Sequence, residues 1–388
     1  MAGRRSKITA RTVLLLMLVL LFTCCSVKEY PRQVSTIEKA LSNAGYAIDE
    51  VGGKVLPRVR SGQRYNLERQ TPTIEYSYYW KQKFKRYPDL FYQVPLNRPM
   101  IETVSVLREN RRYKVELIKW RSQYYPQNPD FALRYETYKG AHTAYAAYLH
   151  SEKKSKGLII ICHDWVETDI SEDWRKYDLH EYYKQGYDAL LVQQPYHGLR
   201  RLSDMAYSGE SFLSGDLARI NEAMCQGVTD VRGMIRLFRR RYDVLGLQGA
   251  GLGGTTCLLT AVVEKKIDFV IARSPYIDLC DTIQEKTLTL DLMKGVELAG
   301  LTEETIRKTL WVSTPSHFEP RIPSEDVLIL AGMGDKMIPP QQITGIRRKW
   351  GPVNIKWYAG GHLANFQKRW TQRHERAFLY GFLKDEEK

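Results

Sequence analysis

The stretch Leu245-Gly246-Leu247-Gln248-Gly249-Ala250-Gly251-Leu252-Gly253-Gly254 constrains the fold of this chain more than any other. An apolar run, Val244 to Leu247, feeds a turn of glycines, and the turn feeds a helix-compatible segment, Leu252 to Val263. A strand, tight turn and helix in that order hold one side chain out over the end of a sheet when the turn reads G-x-S-x-G. Here the five positions read Gly249, Ala250, Gly251, Leu252 and Gly253, so glycine stands where the serine belongs. Gly249, Gly251 and Gly254 also satisfy the phosphate-binding spacing G-x-G-x-x-G. That motif usually follows the first strand of its fold, with an acidic ribose ligand roughly 20 residues on. This turn comes late in the chain, and Asp268 falls too near the start of the next strand, so position favours the nucleophile-type elbow.

Apolar runs recur around the elbow. Leu158 to Cys162 and Ala189 to Val192 are near-continuous, as expected for strands buried on both faces. Phe269 to Ala272, Val327 to Leu330 and Val353 to Tyr358 follow, mostly separated by helix-length segments. Before them, Ile101 to Leu107 and Tyr113 to Trp120 read as a hairpin, with Phe131 to Tyr138 and Ala141 to His150 as further strands. The alternation predicts an α/β fold with a mostly parallel, doubly wound sheet flanked by helices, whose ligands bind at the carboxyl ends of the strands. Candidate chemistry lies at those ends. Asp335 follows Val327 to Leu330, and His362 follows Val353 to Tyr358 through Gly360-Gly361. Each alone reads equally well as a loop cap or a turn residue. In the order elbow, acid, histidine they fit the triad order of one fold, in which the acid orients an imidazole that takes the nucleophile's proton.

The region from about His150 to Leu383 resembles a bacterial branch of the abhydrolase-domain family of α/β hydrolases. The likeness rests on Pro195-Tyr196-His197 with Arg200 or Arg201, Ser208-Gly209-Glu210-Ser211-Phe212, the Asp230 to Arg241 helix, the elbow, Asp335 with Ile338-Pro339, and Trp350-Gly351 leading to Gly360-Gly361-His362. The resemblance implies the α/β-hydrolase fold and ester or related acyl hydrolysis by a serine. Two positions depart from it: Gly251 at the nucleophile, and His163-Asp164 where the family has a His-Gly turn. In such a site the backbone N–H of Leu252 and one near Asp164 or Trp165 form the oxyanion hole. A carboxylate at Asp164 facing the pocket would repel a developing oxyanion. Glycine reaches the strained elbow conformation readily, so Ser→Gly preserves the turn and removes the chemistry. Thr255, Thr256 and Cys257 lie beyond the elbow tip, Ser274 ends the next strand, and direct activation of water by His362 is the other route to turnover. The expected function is therefore a degenerate hydrolase that binds an ester-like small molecule or a protein partner, with atypical ester or acyl hydrolysis through His362 and Asp335 as the alternative.

The N-terminus carries Arg4, Arg5, Lys7 and Arg11, the apolar run Val13 to Phe22, then Thr23-Cys24-Cys25-Ser26. This has the layout of a secretory signal, and Leu21 to Cys24 resembles a lipobox with Cys24 as the lipidated residue. The expectation is export to the cell envelope or periplasm, with membrane tethering through residues 1–26; an uncleaved anchor and simple secretion remain open. Residues 27–100 form a tyrosine-rich extension whose Tyr76 to Trp80 cluster could face a carbohydrate or partner, or pack inward. Residues 101–388 are the hydrolase-type domain, with 278–323 as a lid-like helical insertion or a plain excursion.

The excess of 58 Lys and Arg over 44 Asp and Glu is scattered along the chain and accompanied by no nucleic-acid motif, so nucleic acid is not an expected partner. Cys162, Cys225, Cys257 and Cys280 have no metal-type spacing and read as buried apolar groups, although two disulfides are arithmetically possible. No cofactor or metal is expected.

Overall fold

The computed structural model describes residues 27–384 apart from 28, 62–74, 154, 168, 285–295 and 298. Residues 1–26, including Cys24 and the expected signal, lie outside the described residues, as does part of the 278–323 insertion.

Among the described residues nine strands form one sheet: β1 (Glu102–Glu109), β2 (Tyr113–Arg121), β3 (Thr143–Ser151), β4 (Gly157–Cys162), β5 (Tyr187–Val192), β6 (Val244–Ala250), β7 (Phe269–Arg273), β8 (Val327–Gly332) and β9 (Asn354–Tyr358). Their spatial order is β1-β2-β3-β5-β4-β6-β7-β8-β9. The first three strands pair antiparallel, and β3 pairs antiparallel with β5; from β5 onward every neighbour is parallel. Polarity follows burial. Strands β4, β5 and β8 are buried at every position, which their unbroken apolar sequences demand, whereas β1 is almost wholly exposed. Two register shifts interrupt β1 against β2, a common way of blunting an open sheet edge.

Helix α1 (Thr36–Ser61) precedes the sheet, followed by α2 (Pro129–Tyr135), α3 (Leu179–Lys184), α4 (Leu217–Phe238), α5 (Gly251–Val263), α6 (Glu303–Leu310) and α7 (Lys368–Lys384). The strand expected from Phe131 to Tyr138 is instead helix α2. Asn128 accepts from Asp130 N and Pro129 fills the first turn, so capping starts a helix whose Phe131 and Tyr135, one turn apart, are both buried. Alternating bulky residues fit either periodicity, and the cap decides between them. Helix α1 occupies the first part of the N-terminal extension, Thr36–Ser61.

The tyrosine-rich segment is turned inward. Glu222, buried on α4, accepts from the Tyr79 hydroxyl (2.9 Å), the Tyr124 hydroxyl, Gln127 N (2.9 Å) and Asn128 N (2.9 Å). Trp80 Nε1 donates to Thr309 Oγ1 of α6 at 3.1 Å. Tyr79 is fully buried, and Tyr76, Tyr78 and Trp80 are half-buried against the core, in keeping with inward packing. Cys162, Cys225, Cys257 and Cys280 are buried and form no disulfide. Among the described residues, no helix is long and apolar enough to cross a membrane, and no cluster of His, Cys, Asp and Glu is suited to a metal ion.

Candidate functional site

The carboxyl ends of β4, β6, β8 and β9 meet at one point. Strand β6 runs into α5 through Gly251, whose φ of +47° is the left-handed conformation an elbow requires. Two further glycines are needed for contact: a Cβ on Gly253 would strike the backbone of Cys162 and His163, and one on Gly249 would strike Gly253. The turn is thus wedged against the end of β4. That wedge brings Asp164 to Gly251.

Asp164 does more than face the pocket. Its Oδ1 accepts from Leu252 N at 3.0 Å and from Trp165 N at 2.7 Å, the two donors expected to form an oxyanion hole. A Cβ built on Gly251 would lie within 3.0 Å of both carboxylate oxygens and the carboxyl carbon of Asp164. The carboxylate therefore stands where a serine side chain would begin, with one oxygen in the hole. His163 fixes the turn behind it. Its Nε2 accepts from Gln194 N at 2.8 Å, which leaves Nδ1–H to donate to Asp164 O at 2.7 Å. Burial pushes the His163 imidazole down to about 4, so it stays neutral.

On the opposite side, His362 Nδ1 lies 3.1 Å from Asp335 Oδ2, and Asp335 Oδ1 accepts from Ile338 N at 2.7 Å. His362 Nε2 points to Asp164 Oδ2 at 3.6 Å. Burial alone would lower the imidazole, but the carboxylates of Asp335 and Asp164 outweigh it and raise it well above its ordinary value. Burial likewise opposes ionisation of Asp164. Its contacts with His362 and the two backbone N–H groups prevail and hold it low. The resting site is thus an imidazolium between two carboxylates, with an anionic oxygen in the hole. A serine hydrolase reaches this charge pattern only at its tetrahedral intermediate.

Asp49 enters the site from an element that no strand-end motif marks. Helix α1 lies across the loops after β8 and β9 so closely that a Cβ on Gly45 would collide with Gly360 and Gly361. Asp49, one turn on, is buried and accepts from His362 N (2.6 Å), Leu363 N (2.8 Å) and Lys336 N (3.1 Å). It ties the acid and histidine loops together. The only sequence signal is a carboxylate in the stripe Ser42, Gly45, Asp49, spaced to share one helix face.

Burial, then the nearby charge of Asp335, pushes Asp49 up to about 6, against the pull of His362. A carboxyl raised in the folded state is a stabilising contribution below its unfolded value near 3.8 that is lost as pH rises through 6. Asp49→Asn removes that loss. In urea denaturation the stability of wild type relative to Asp49→Asn is expected to fall by about 2–3 kcal/mol between pH 4 and pH 7. A flat difference would show that Asp49 titrates normally.

A cavity of about 230 Å³ opens beside Gly251, lined by Asp164, His362, Arg273, Ser274, Tyr358 and Lys368 among others. Ser274, the best replacement hydroxyl by sequence, lines the same cavity and is engaged by Tyr358. Its Oγ lies 3.3 Å from Tyr358 Oη, whose hydroxyl donates to Gly361 O. Thr255 and Thr256 bond to backbone carbonyls within α5 and beside it, and Cys257 is buried. None of them replaces a nucleophile at the elbow.

No family model matches the chain. It is 26% identical over 212 residues to the uncharacterized proteins MT2702 and Rv2627c of Mycobacterium tuberculosis, covering 53% of this chain and 49% of each of those. The chain thus spans about half the length of the curated relatives it matches. Among solved structures it is similar to acetyl xylan esterase 1 from Thermoanaerobacterium sp. JW/SL YS485, with a TM-score of 0.56 and 14% identity over 81% of this chain and 97% of that one. It is also similar to the acetyl xylan esterase from Paenibacillus sp. R4, with a TM-score of 0.54 and 13% identity over 80% and 98%. The fold is that of the α/β hydrolases. At these identities the likeness is one of fold. Within the α/β-hydrolase fold, the elbow, the β8 acid and the β9 histidine stand at the strand ends where this architecture builds its chemistry.

Proposed function

We propose that this chain is a degenerate serine hydrolase that holds a small ester-like ligand or a protein partner in the pocket beside Gly251 and no longer cleaves acyl esters. The observation that carries this reading is the Asp164 carboxylate, bonded to Leu252 N and Trp165 N where an acyl oxyanion would have to sit. Glycine at 251 removes the attacking oxygen, and Asp164 fills the donors that would stabilise the intermediate. Acyl hydrolysis by direct water activation needs a neutral His362, whereas its two carboxylate neighbours hold it charged. The proposal includes export to the cell envelope and a membrane tether at Cys24, supported by the basic, apolar and small-residue order of residues 1–26.

The test is hydrolysis of a panel of short and medium acyl esters, acetyl esters included, by residues 27–388 and by His362→Ala. Both proteins are expected to match the uncatalysed rate, with small esters still able to shift the pocket's NMR signals. Turnover that disappears in His362→Ala would overturn the reading.

A further inference from the structure

A second cavity, of about 570 Å³, lies between the tip of the β1–β2 hairpin and the turn that leads into α3. Arg108, Arg111 and Arg112 line it from the hairpin and Arg175 from the turn, with buried Tyr113 and Trp174 beneath them. All four arginines are exposed, and among the described residues none of them has an ion-pair partner.

Their placement is built into the local structure. Asn110 Oδ1 accepts from Arg112 N at 2.8 Å and Tyr113 N at 3.0 Å, which locks the turn carrying Arg111 and Arg112. The Arg108 guanidinium lies 5.9 Å from the centre of the Tyr113 ring, and that of Arg175 lies 4.7 Å from the centre of the Trp174 ring. A guanidinium resting on an aromatic ring keeps its N–H edge free to bind. Two carboxylates, Asp178 and Glu181, line the same groove. Glu181 is engaged by Lys184 at 2.7 Å and by Arg376 at 3.2 Å, which leaves Asp178 alone against four guanidiniums. The positive excess is therefore not balanced within the groove. A ligand with several negative charges relieves the repulsion among the arginines and accepts charge-assisted hydrogen bonds from them.

Shape narrows the ligand further. The groove has a wall on each side, which suits a discrete anion better than a flat membrane surface. Tyr113 and Trp174 are 4% and 3% exposed, so neither ring offers a face for stacking a nucleobase. We propose that this groove binds a small soluble oligophosphate, whose successive phosphate groups are held by forked N–H contacts from Arg108, Arg111, Arg112 and Arg175. The groove adjoins the cavity beside Gly251 at Asp178, which lines both, but its ligand is independent of any ester held there.

The experiment is calorimetric titration of residues 27–388 with inorganic tripolyphosphate at low ionic strength. Wild type is expected to bind one tripolyphosphate per chain, and single inorganic phosphate at least about tenfold more weakly. Arg111→Ala with Arg175→Ala, one from each wall, is expected to weaken tripolyphosphate binding at least about tenfold. Arg348→Ala with Lys349→Ala removes the same charge from a different cavity and is expected to change binding less than about threefold. Asp178→Asn keeps a residue that tolerates the φ of +53° at this position and is expected to tighten binding, a gain that structural damage does not produce. Equal losses in the two double variants would reduce the effect to net charge and overturn the site. Inorganic phosphate bound as tightly as tripolyphosphate would overturn it too, as would binding to phosphatidylglycerol vesicles with no response to tripolyphosphate. Acyl-ester turnover in the separate panel strikes only the reading of the pocket beside Gly251, so the two failures are distinct.

Discussion

Gly251→Ser alone is expected to yield an inactive and less stable protein, whereas Gly251→Ser combined with Asp164→Gly is expected to hydrolyse short acyl esters. The single change places a Cβ against the Asp164 carboxylate and puts serine at a φ of +47°, a conformation costing on the order of 1–3 kcal/mol outside glycine. Asp164 would have to leave the hole and surrender two hydrogen bonds. The double change empties that space, frees Leu252 N and Trp165 N for an acyl oxygen, and leaves Asp335 as the carboxylate bonded to the His362 ring. The His362 pKa then falls toward a value at which it can act as a base. Against either single variant, the double variant should gain at least about 10³-fold in acetyl-ester hydrolysis, within the range that triad nucleophiles supply. The gain should be strongly non-additive, because each substitution removes an obstacle that the other leaves in place. A double variant no faster than Gly251→Ser would mean that more than these two positions has been lost.

Asp164→Asn is expected to lower stability by about 2–3 kcal/mol at pH 7, mainly by taking a charge from beside the buried imidazolium. The size of the loss depends on pH in a fixed sense. His362 is raised in the folded state, so its contribution is complete below its ordinary value of 6.5 and fades as pH rises through the folded value, well above 6.5. Asp164 is lowered, so its contribution is complete above 3.8 and fades as pH falls through its folded value. Wild type should therefore exceed the variant by a nearly constant amount from about pH 4 to 6.5, with the gap closing at alkaline and strongly acid pH. Urea denaturation across that range measures it. A gap that widens at alkaline pH would contradict the pairing.

The strand ends and the elbow were legible because a parallel sheet buries its strands on both faces, and such strands must appear as unbroken apolar runs, here ending in glycine, Asp335 and His362. The glycine at 251 was legible at the tip of that elbow for the same reason. Asp164 was visible only as a departure, since repulsion of an oxyanion can be inferred from a charge in the turn. Occupation of the hole depends on the close approach of Gly253 to β4, a three-dimensional fact. Asp49 was out of reach, because nothing in the spacing of α1 states which loops will cover it. Residues 131–135 show the reverse failure: a local capping signal at Asn128-Pro129 was present and outweighed a β-like composition.

Whether Asp164 fills the hole and holds His362 as its cation is decided by nitrogen NMR titration of the His362 ring in wild type and Asp164→Asn. Wild type is expected to show both ring nitrogens protonated at pH 7 and well above it, with titration in Asp164→Asn moving to markedly lower pH. A wild-type ring that titrates near 6.5 and does not respond to Asp164→Asn would refute that pairing.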